Sequence, residues 1–346
     1  MRYVKYILFP FSLLYWLFTY CRNLCFDKGI LKQTEFDIPV ILVGNITVGG
    51  TGKTPHVQYI IQLLNRMKVA SLSRGYKRKS KGFVLANAET TVSELGDEPF
   101  LLHRRFPDLH VAVCEKRVEG VQKLLEQVPS LKAIVLDDAF QHRYIKPSLQ
   151  ILLIDYNRPL WHDHVFPVGF LREGKYAVSR ADVVIITKCP ETLSKNEVEM
   201  YKKRLGLTRQ KLFFSTMEYG SVYEISTKQL YDNQEFFTQH NVCLVSGIAE
   251  PKPLKQYVES FGNQVKTKSY PDHYSYSETD VKELLTLSSD YKIVTTEKDV
   301  YKLAEILPQT KIFVMPIMTK ILFGKQNDFD TTISNCIGMI EKVKLL

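Results

Sequence analysis

The sequence predicts an α/β fold: a mostly parallel sheet covered by helices, followed by a second, smaller α/β lobe. Three observations carry that reading. Apolar runs of strand length recur at residues 40–43, 69–73, 111–114, 133–136, 151–154 and 183–187, then at 212–215, 242–245, 293–295 and 312–315. Charged segments with helical spacing separate them, as in parallel sheets whose crossovers are helices. The 346 residues are 45% hydrophobic and 24% charged, enough apolar material for a sizeable core and two domains. The expected division is residues 1–26, 27–205 and 206–346, because a helix-prone charged stretch (191–209) follows the sixth strand.

The chain opens with a segment of its own kind. Residues 6–21 carry no formal charge and crowd together Phe9, Phe11, Leu13, Leu14, Trp16, Leu17 and Phe18. The run is short of the roughly 20 apolar residues that a spanning helix needs. Lys5, Ser12, Tyr15, Thr19 and Arg22 recur at helical spacing and give one weakly polar stripe opposite an aromatic and aliphatic face. This is the pattern of a helix lying in a membrane surface, with Trp and Tyr suited to the headgroup boundary. A helix packed on the protein's own core shares that pattern. A cleaved signal peptide needs a small-residue cleavage site, which Cys21-Arg22-Asn23-Leu24-Cys25-Phe26 lacks.

The first strand runs into Gly44-Asn45-Ile46 and then Thr47, Val48, Gly49, Gly50, Thr51, Gly52, Lys53 and Thr54, with helical spacing from Val57 onward. Strand, glycine-rich loop and helix in that order form a phosphate cradle. Backbone N–H groups turn toward one anion, the helix N-terminus adds partial positive charge, Lys53 reaches the terminal phosphates, and the Thr54 hydroxyl suits Mg²⁺. The general pattern has Gly where Thr47 stands. The expected architecture is therefore P-loop NTPase-like, with a nucleotide's phosphates and Mg²⁺ in the cradle.

Further along, Ser73-Arg74-Gly75-Tyr76 ends the second strand among basic residues, either solvated charge or an anion site. Asp97, before Glu98-Pro99, reads equally as a helix N-cap and as a general base. The fourth long strand ends in Asp137-Asp138, positioned to hold a metal or to cap a turn, and Gln141 and His142 follow at once. Arg172 and Glu173 either pair with each other or face the cleft. Thr187-Lys188-Cys189-Pro190 has Pro where a guanine-reading loop needs Asp. His273, after Pro271-Asp272, is a surface histidine or a functional one, and Thr296 with Asp299 has capping-box spacing. The six scattered cysteines read as thiols of a reducing compartment. The +9 net charge suits an anionic partner, and no aromatic-and-basic nucleic-acid signature accompanies it, so nucleic acid is not expected.

Together these segments resemble the tetraacyldisaccharide 4′-kinases, the lipid A 4′-kinases of Gram-negative bacteria. The matching pieces are Val43-Gly44-Asn45 through Lys53-Thr54-Pro55, Ser73-Arg74-Gly75-Tyr76, Gly96-Asp97-Glu98-Pro99, Asp137-Asp138-Ala139-Phe140-Gln141-His142, Phe170-Leu171-Arg172-Glu173, Pro271-Asp272-His273-Tyr274 and Thr296-Glu297-Lys298-Asp299, in the family's order. Ala139 stands where the family commonly has Gly. The resemblance implies phosphoryl transfer from ATP to the 4′-hydroxyl of an acylated glucosamine disaccharide 1-phosphate. The implied place is the cytoplasmic face of the inner membrane, with the N-terminal helix on that surface and no obligate protein partner. It further implies Asp97 as the base, assisted by His273 from the other lobe, so that lobe closure conditions catalysis. Thr54, Asp137 and Asp138 are the implied metal ligands; Ser73, Arg74, Gln141, His142, Arg172 and Glu173 are weaker candidates for the substrate. Two rival readings are a phosphate-loop enzyme acting on a soluble substrate and a nucleotide-driven switch or metallochaperone.

Overall fold

The structure, a computed structural model, describes residues 2–343 apart from Asn263 and His273. The chain forms two compact units, one of residues 1–217 with 319–346 and the other of residues 218–318. The sequence reading placed all of 206–346 in the second lobe. Here residues 206–217 and 319–346 belong to the first unit, because their strands extend its sheet and the last helix covers it.

The first unit begins with α1 (Arg2–Asp27). Its sheet contains β1 (Val40–Asn45), β2 (Val69–Ser73), β3 (Val84–Leu85), β4 (His110–Val113), β5 (Ala133–Asp137), β6 (Leu149–Asp155), β7 (Val183–Thr187) and β8 (Lys211–Tyr219). Its helices are α2 (Lys53–Leu63), α3 (Val92–Leu95), α4 (Asp97–Arg105), α5 (Arg117–Gln127) and α6 (Lys195–Leu205). The second unit holds β9 (Tyr223–Glu224), β10 (Val242–Ser246), β11 (Val265–Ser269), β12 (Lys292–Thr296) and β13 (Ile312–Met315), with α7 (Asn233–Gln239), α8 (Lys252–Glu259), α9 (Glu278–Asp290) and α10 (Val300–Ile306). The chain then adds β14 (Ile317–Ile321) and α11 (Gln326–Val343).

The nine-stranded sheet has the order β14-β8-β7-β6-β1-β5-β2-β4-β3. From β4 to β8 its pairs are parallel, and only the short β3 edge is antiparallel to its neighbour among the registered pairs. β1 lies between β5 and β6, so Val43 stands level with Asp137 on one side and Ile151 on the other. Strand periodicity of two divides the apolar residues between the faces. Val40, Leu42, Ile134, Leu136, Leu152 and Ile154 pack with Val121 and Leu124 of α5 and Tyr201 of α6. Ile41, Val43, Val135, Ile151 and Leu153 pack with Val57, Ile60 and Ile61 of α2 and Phe329 and Ile333 of α11. Both faces are covered, which is why these strands read as continuous apolar runs.

The second unit repeats the plan on a smaller scale, with sheet order β11-β10-β12-β13-β9. Leu244, Val294 and Phe313 pack toward α7 and α8, while Cys243, Val245, Ile293 and Val314 pack toward α9 and α10. The expected α/β class is therefore present in each unit, and all ten expected strands form.

α1 exists as a helix, and its two faces are sorted opposite to a soluble amphipathic helix. The polar stripe turns inward: Ser12 Oγ donates to Val165 O at 2.9 Å, Tyr15 OH to Arg172 O at 3.1 Å, Arg22 Nη2 to Gln141 O at 3.1 Å, and Asn23 Nδ2 to Glu173 Oε2 at 2.7 Å. The apolar face is bare: Ile7, Phe9, Phe11, Leu13, Leu14, Leu17 and Phe18 are all exposed, Phe18 by 69%. No helix among the described residues is long and apolar enough to cross a membrane.

Candidate active site

The site gathers at the C-terminal ends of β1, β2 and β5, where the loops of a parallel sheet open. The loop after β1 is fixed from within. Asn45, fully buried, donates from Nδ2 to Thr51 Oγ1 at 2.7 Å, and Thr187 Oγ1 at the end of β7 donates to Thr51 O at 2.9 Å. Thr47 forms an antiparallel bridge with Leu171, Val48 N donates to Phe170 O, and Arg172 N donates to Ile46 O. Position 47 is thus paired and outside the left-handed region, so a glycine's freedom is not required there. The same pairing carries Arg172 to the loop. Val48, Gly49 and Gly50 are exposed along its open side.

Charges converge beside the loop. Lys53 Nζ lies 3.7 Å from Asp138 Oδ1, and Arg172 Nη1 lies 3.1 Å from the same oxygen. Burial alone would push the Asp138 carboxyl up, but Lys53, Arg172 and Arg117 outweigh it and hold it below the usual carboxylate range. Its neighbour behaves oppositely. Asp137 is buried, its Oδ1 has no hydrogen-bond partner, and burial together with the charges of Glu98 and Asp138 pushes it up to about 8. Adjacent carboxylates whose environments push their titration in opposite directions are a feature of sites that handle cations or protons. Thr54 Oγ1 donates to Glu98 Oε1 at 3.3 Å, which ties the start of α2 to the first turn of α4.

Asp97, the first residue of α4, is half-buried and stands next in sequence to Glu98, which makes that bond. Gly96 has φ +89°, and a Cβ there would meet Tyr76 O at 2.8 Å, so only glycine lets the Ser73–Tyr76 turn press against the start of α4. Arg74 is exposed on that turn, whereas Ser73 is buried with its Oγ accepting from Gly75 N. The buried hydroxyl accepts within the turn and so shapes it.

Gln141 bridges the site, donating from Nε2 to Asn45 O at 2.8 Å and accepting from Arg172 Nη1 at 3.3 Å. Burial, then the charges of Arg117, Arg22 and Arg74, pushes His142 down to about 4, so it is a neutral imidazole at neutral pH, and its Nε2 is buried without a partner. Glu173 departs from expectation. It is 2% exposed, with Arg180 at 2.8 Å and Asn23 at 2.7 Å, and it faces the interior beside α1 instead of the cleft. Its neighbour Arg172 instead meets Asp138 and Gln141. His273 lies outside the described residues.

Three contributors went unread in the sequence. Glu98 touches Thr54. Asn45 braces Thr51. Arg117, 5% exposed at the start of α5, is pushed down to about 10 by burial and by Arg74, and its charge acts on both Asp137 and Asp138. A charged residue directly after β4 at the sheet's functional edge was the available signal for Arg117, but it has no fixed spacing from the loop.

The donor set suits Mg²⁺. Among the described residues no three His, Cys, Asp or Glu side chains stand together as a cage. Mg²⁺ does not ask for one; it is usually held by one or two carboxylates together with water and substrate phosphates. The unpartnered buried oxygen of Asp137, the Asp138 carboxylate and the Thr54 hydroxyl are hard oxygen ligands of that kind.

Comparison with known proteins gives a consistent result. The family model for tetraacyldisaccharide-1-P 4′-kinase matches residues 4–338. A tetraacyldisaccharide 4′-kinase of Flavobacterium johnsoniae is 42% identical over 335 residues, covering 96% of this chain and 97% of the relative. One from Phocaeicola vulgatus is 41% identical over 345 residues, covering 95% and 94%. The crystal structure of LpxK from Aquifex aeolicus in complex with ATP matches with a TM-score of 0.77 at 30% identity, over 96% of this chain and 99% of that one. The chain belongs to the tetraacyldisaccharide-1-P 4′-kinase family.

Proposed function

We propose that the protein transfers the terminal phosphoryl group of ATP to the 4′-hydroxyl of an acylated glucosamine disaccharide 1-phosphate, in lipid A synthesis at the cytoplasmic face of the inner membrane. The observation that carries this reading is the convergence of Lys53, Arg172 and Asp138 at the phosphate loop of a chain in this family. The transition state for phosphoryl transfer is loose, so positioning and charge neutralisation dominate. The loop amides of Thr47 to Thr54 bind the phosphates. Lys53 and Arg172, which both meet Asp138, supply two cations for them. Mg²⁺, when bound, neutralises phosphate charge, and Thr54, Asp137 and Asp138 are the residues that would hold it.

Asp97 receives the proton of the sugar hydroxyl. Its place beside Glu98, which reaches Thr54, supports that role. Arg74, exposed on the turn facing α4, and the neutral His142 would meet the sugar and its phosphate. Gln141 orients Arg172. The expectation for His273 rests on the resemblance alone. The bare apolar face of α1 supports seating the protein on a bilayer, where an acylated acceptor resides.

Incubation with γ-labelled ATP and the acylated disaccharide 1-phosphate tests the reading. Label is expected on the lipid, at the 4′-oxygen. Label released only to water would favour a nucleotide switch, and label on a water-soluble acceptor would favour a different kinase.

A further inference from the structure

We propose that Arg158 is a built-in arginine finger, a cation from the protein's own chain that stabilises the transferring phosphoryl group. The proposal rests on the kinase reading above and adds a residue to it. Arg158 lies three residues beyond the end of β6. Its Nη1 donates to Val48 O at 3.2 Å, and a Cβ built on Gly49 would meet Nη1 at 3.2 Å and Nη2 at 3.5 Å. Gly49, at φ +100°, leaves the space in which the guanidinium lies over the loop.

The arm is anchored with only part of its donors consumed. Arg158 N donates to Asp155 O at 3.1 Å. Asp155 is 2% exposed and gives its oxygens to others: Oδ2 accepts from Lys188 Nζ at 2.9 Å and Oδ1 from Asn157 N at 2.9 Å. Arg158 Nη2 stands 3.6 Å from Asp155 Oδ2, an ion pair longer than a hydrogen bond. Its Nε is buried with no partner. The buried carboxylate therefore aims the guanidinium; Nε is shut away from a ligand, and the Nη hydrogens beyond the Val48 bond are the ones left for it. Lys53 and Arg172 share one carboxylate, Asp138, whereas Arg158 has a separate one, Asp155, behind it. Nor does the loop depend on Arg158 for its shape, since Asn45 and Thr187 both hold Thr51.

A planar guanidinium with free donors, at the open side of a loop that wraps phosphates, is matched to a phosphoryl group. In the transfer, the bond from the γ-phosphorus to the bridging oxygen breaks with its electron pair remaining on ADP. The sugar oxygen bonds to phosphorus and its proton passes to Asp97. Arg158 donates hydrogen bonds to the oxygens of the group in flight and is itself unchanged.

The test compares wild type, Arg158→Ala and Arg158→Lys in transfer from ATP to the acylated disaccharide 1-phosphate, and in binding of ADP and of ADP with aluminium fluoride. Arg158→Ala is expected to lower kcat by about 10³-fold or more while KM for ATP changes by less than about threefold. Arg158→Lys, which keeps the charge and loses the fork, should fall between. ADP should bind all three alike, and only the aluminium fluoride complex should be lost. Unchanged turnover, or ATP and ADP affinity lost in parallel with turnover, would overturn the proposal in favour of no role or of loop shaping. If Arg158→Ala does not fold, Arg158→Lys is read by the same criteria. Absence of lipid labelling by the wild type would instead overturn the kinase reading, while wild-type transfer with an unaffected Arg158→Ala overturns the finger alone.

Discussion

His56 shows how closely the loop is tied to the core. Its Nδ1 lies 2.6 Å from Gly52 O, an atom that can only accept, so Nδ1 carries the proton and Nε2 accepts from Ser215 Oγ at 3.0 Å. Burial pushes this imidazole down to about 4, against the pull of the Gly52 bond. The folded protein refuses a proton that the unfolded chain accepts near pH 6.5. The contribution to stability is therefore whole above that pH and declines as pH falls toward 4, by on the order of 3 kcal/mol. His56→Asn keeps a donor for Gly52 O without titrating. Its denaturant midpoint should change less between pH 7 and 4.5 than the wild type's, and an equal change would contradict the assignment. At this scale the sequence was most informative where chemistry fixes spacing, as in Lys53, Thr54 and the Asp137-Asp138 pair. Glu98, Arg117 and Arg158 reach the site only through the order of strands in the sheet, which no local pattern encodes.

Elements show where patterning succeeds and where it is silent. Strands buried on both faces announce themselves as apolar runs. β11, with Lys266 exposed and Lys268 half-buried at alternate positions, is an edge strand guarded by charge and reads as loop. β14 was likewise unread, because its alternation of buried and exposed residues is short and follows directly on β13. α1 was legible as an amphipathic helix, but which face would meet the protein was not, since that depends on the buried polar groups awaiting it. Glu173 and Arg180 form such a group with Asn23. Arg180→Ala leaves a buried carboxylate short of its cation and should cost about 3–5 kcal/mol in denaturant unfolding. The exposed Lys123–Glu119 pair, similarly broken, should cost far less, because water screens it. Equal costs would show that the α1 brace is superficial. On the opposite face, Leu14→Glu with Phe18→Glu should release the protein from vesicles with little change in melting temperature, because neither side chain is buried. Undiminished vesicle binding would remove α1 from the membrane.

The whole molecule joins a basic chain to that bare helix. With 46 basic and 37 acidic residues, anionic vesicles should bind it more strongly at low salt. A residue of binding should survive high salt, since apolar burial is not screened. The α/β class was readable from alternation alone, but the return of residues 319–346 to the first unit was not, because the second unit interrupts the sheet in sequence and not in space. All of this serves one chemical claim, that a carboxylate at the rim of the phosphate loop accepts the proton of a lipid-borne hydroxyl. The direct measurement is the initial rate of phosphoryl transfer by Asp97→Ala across a range of ATP concentrations. The account predicts kcat lower by about 10²–10⁴-fold with KM for ATP nearly unchanged. Turnover equal to the wild type, or turnover and ATP affinity falling together, would contradict it.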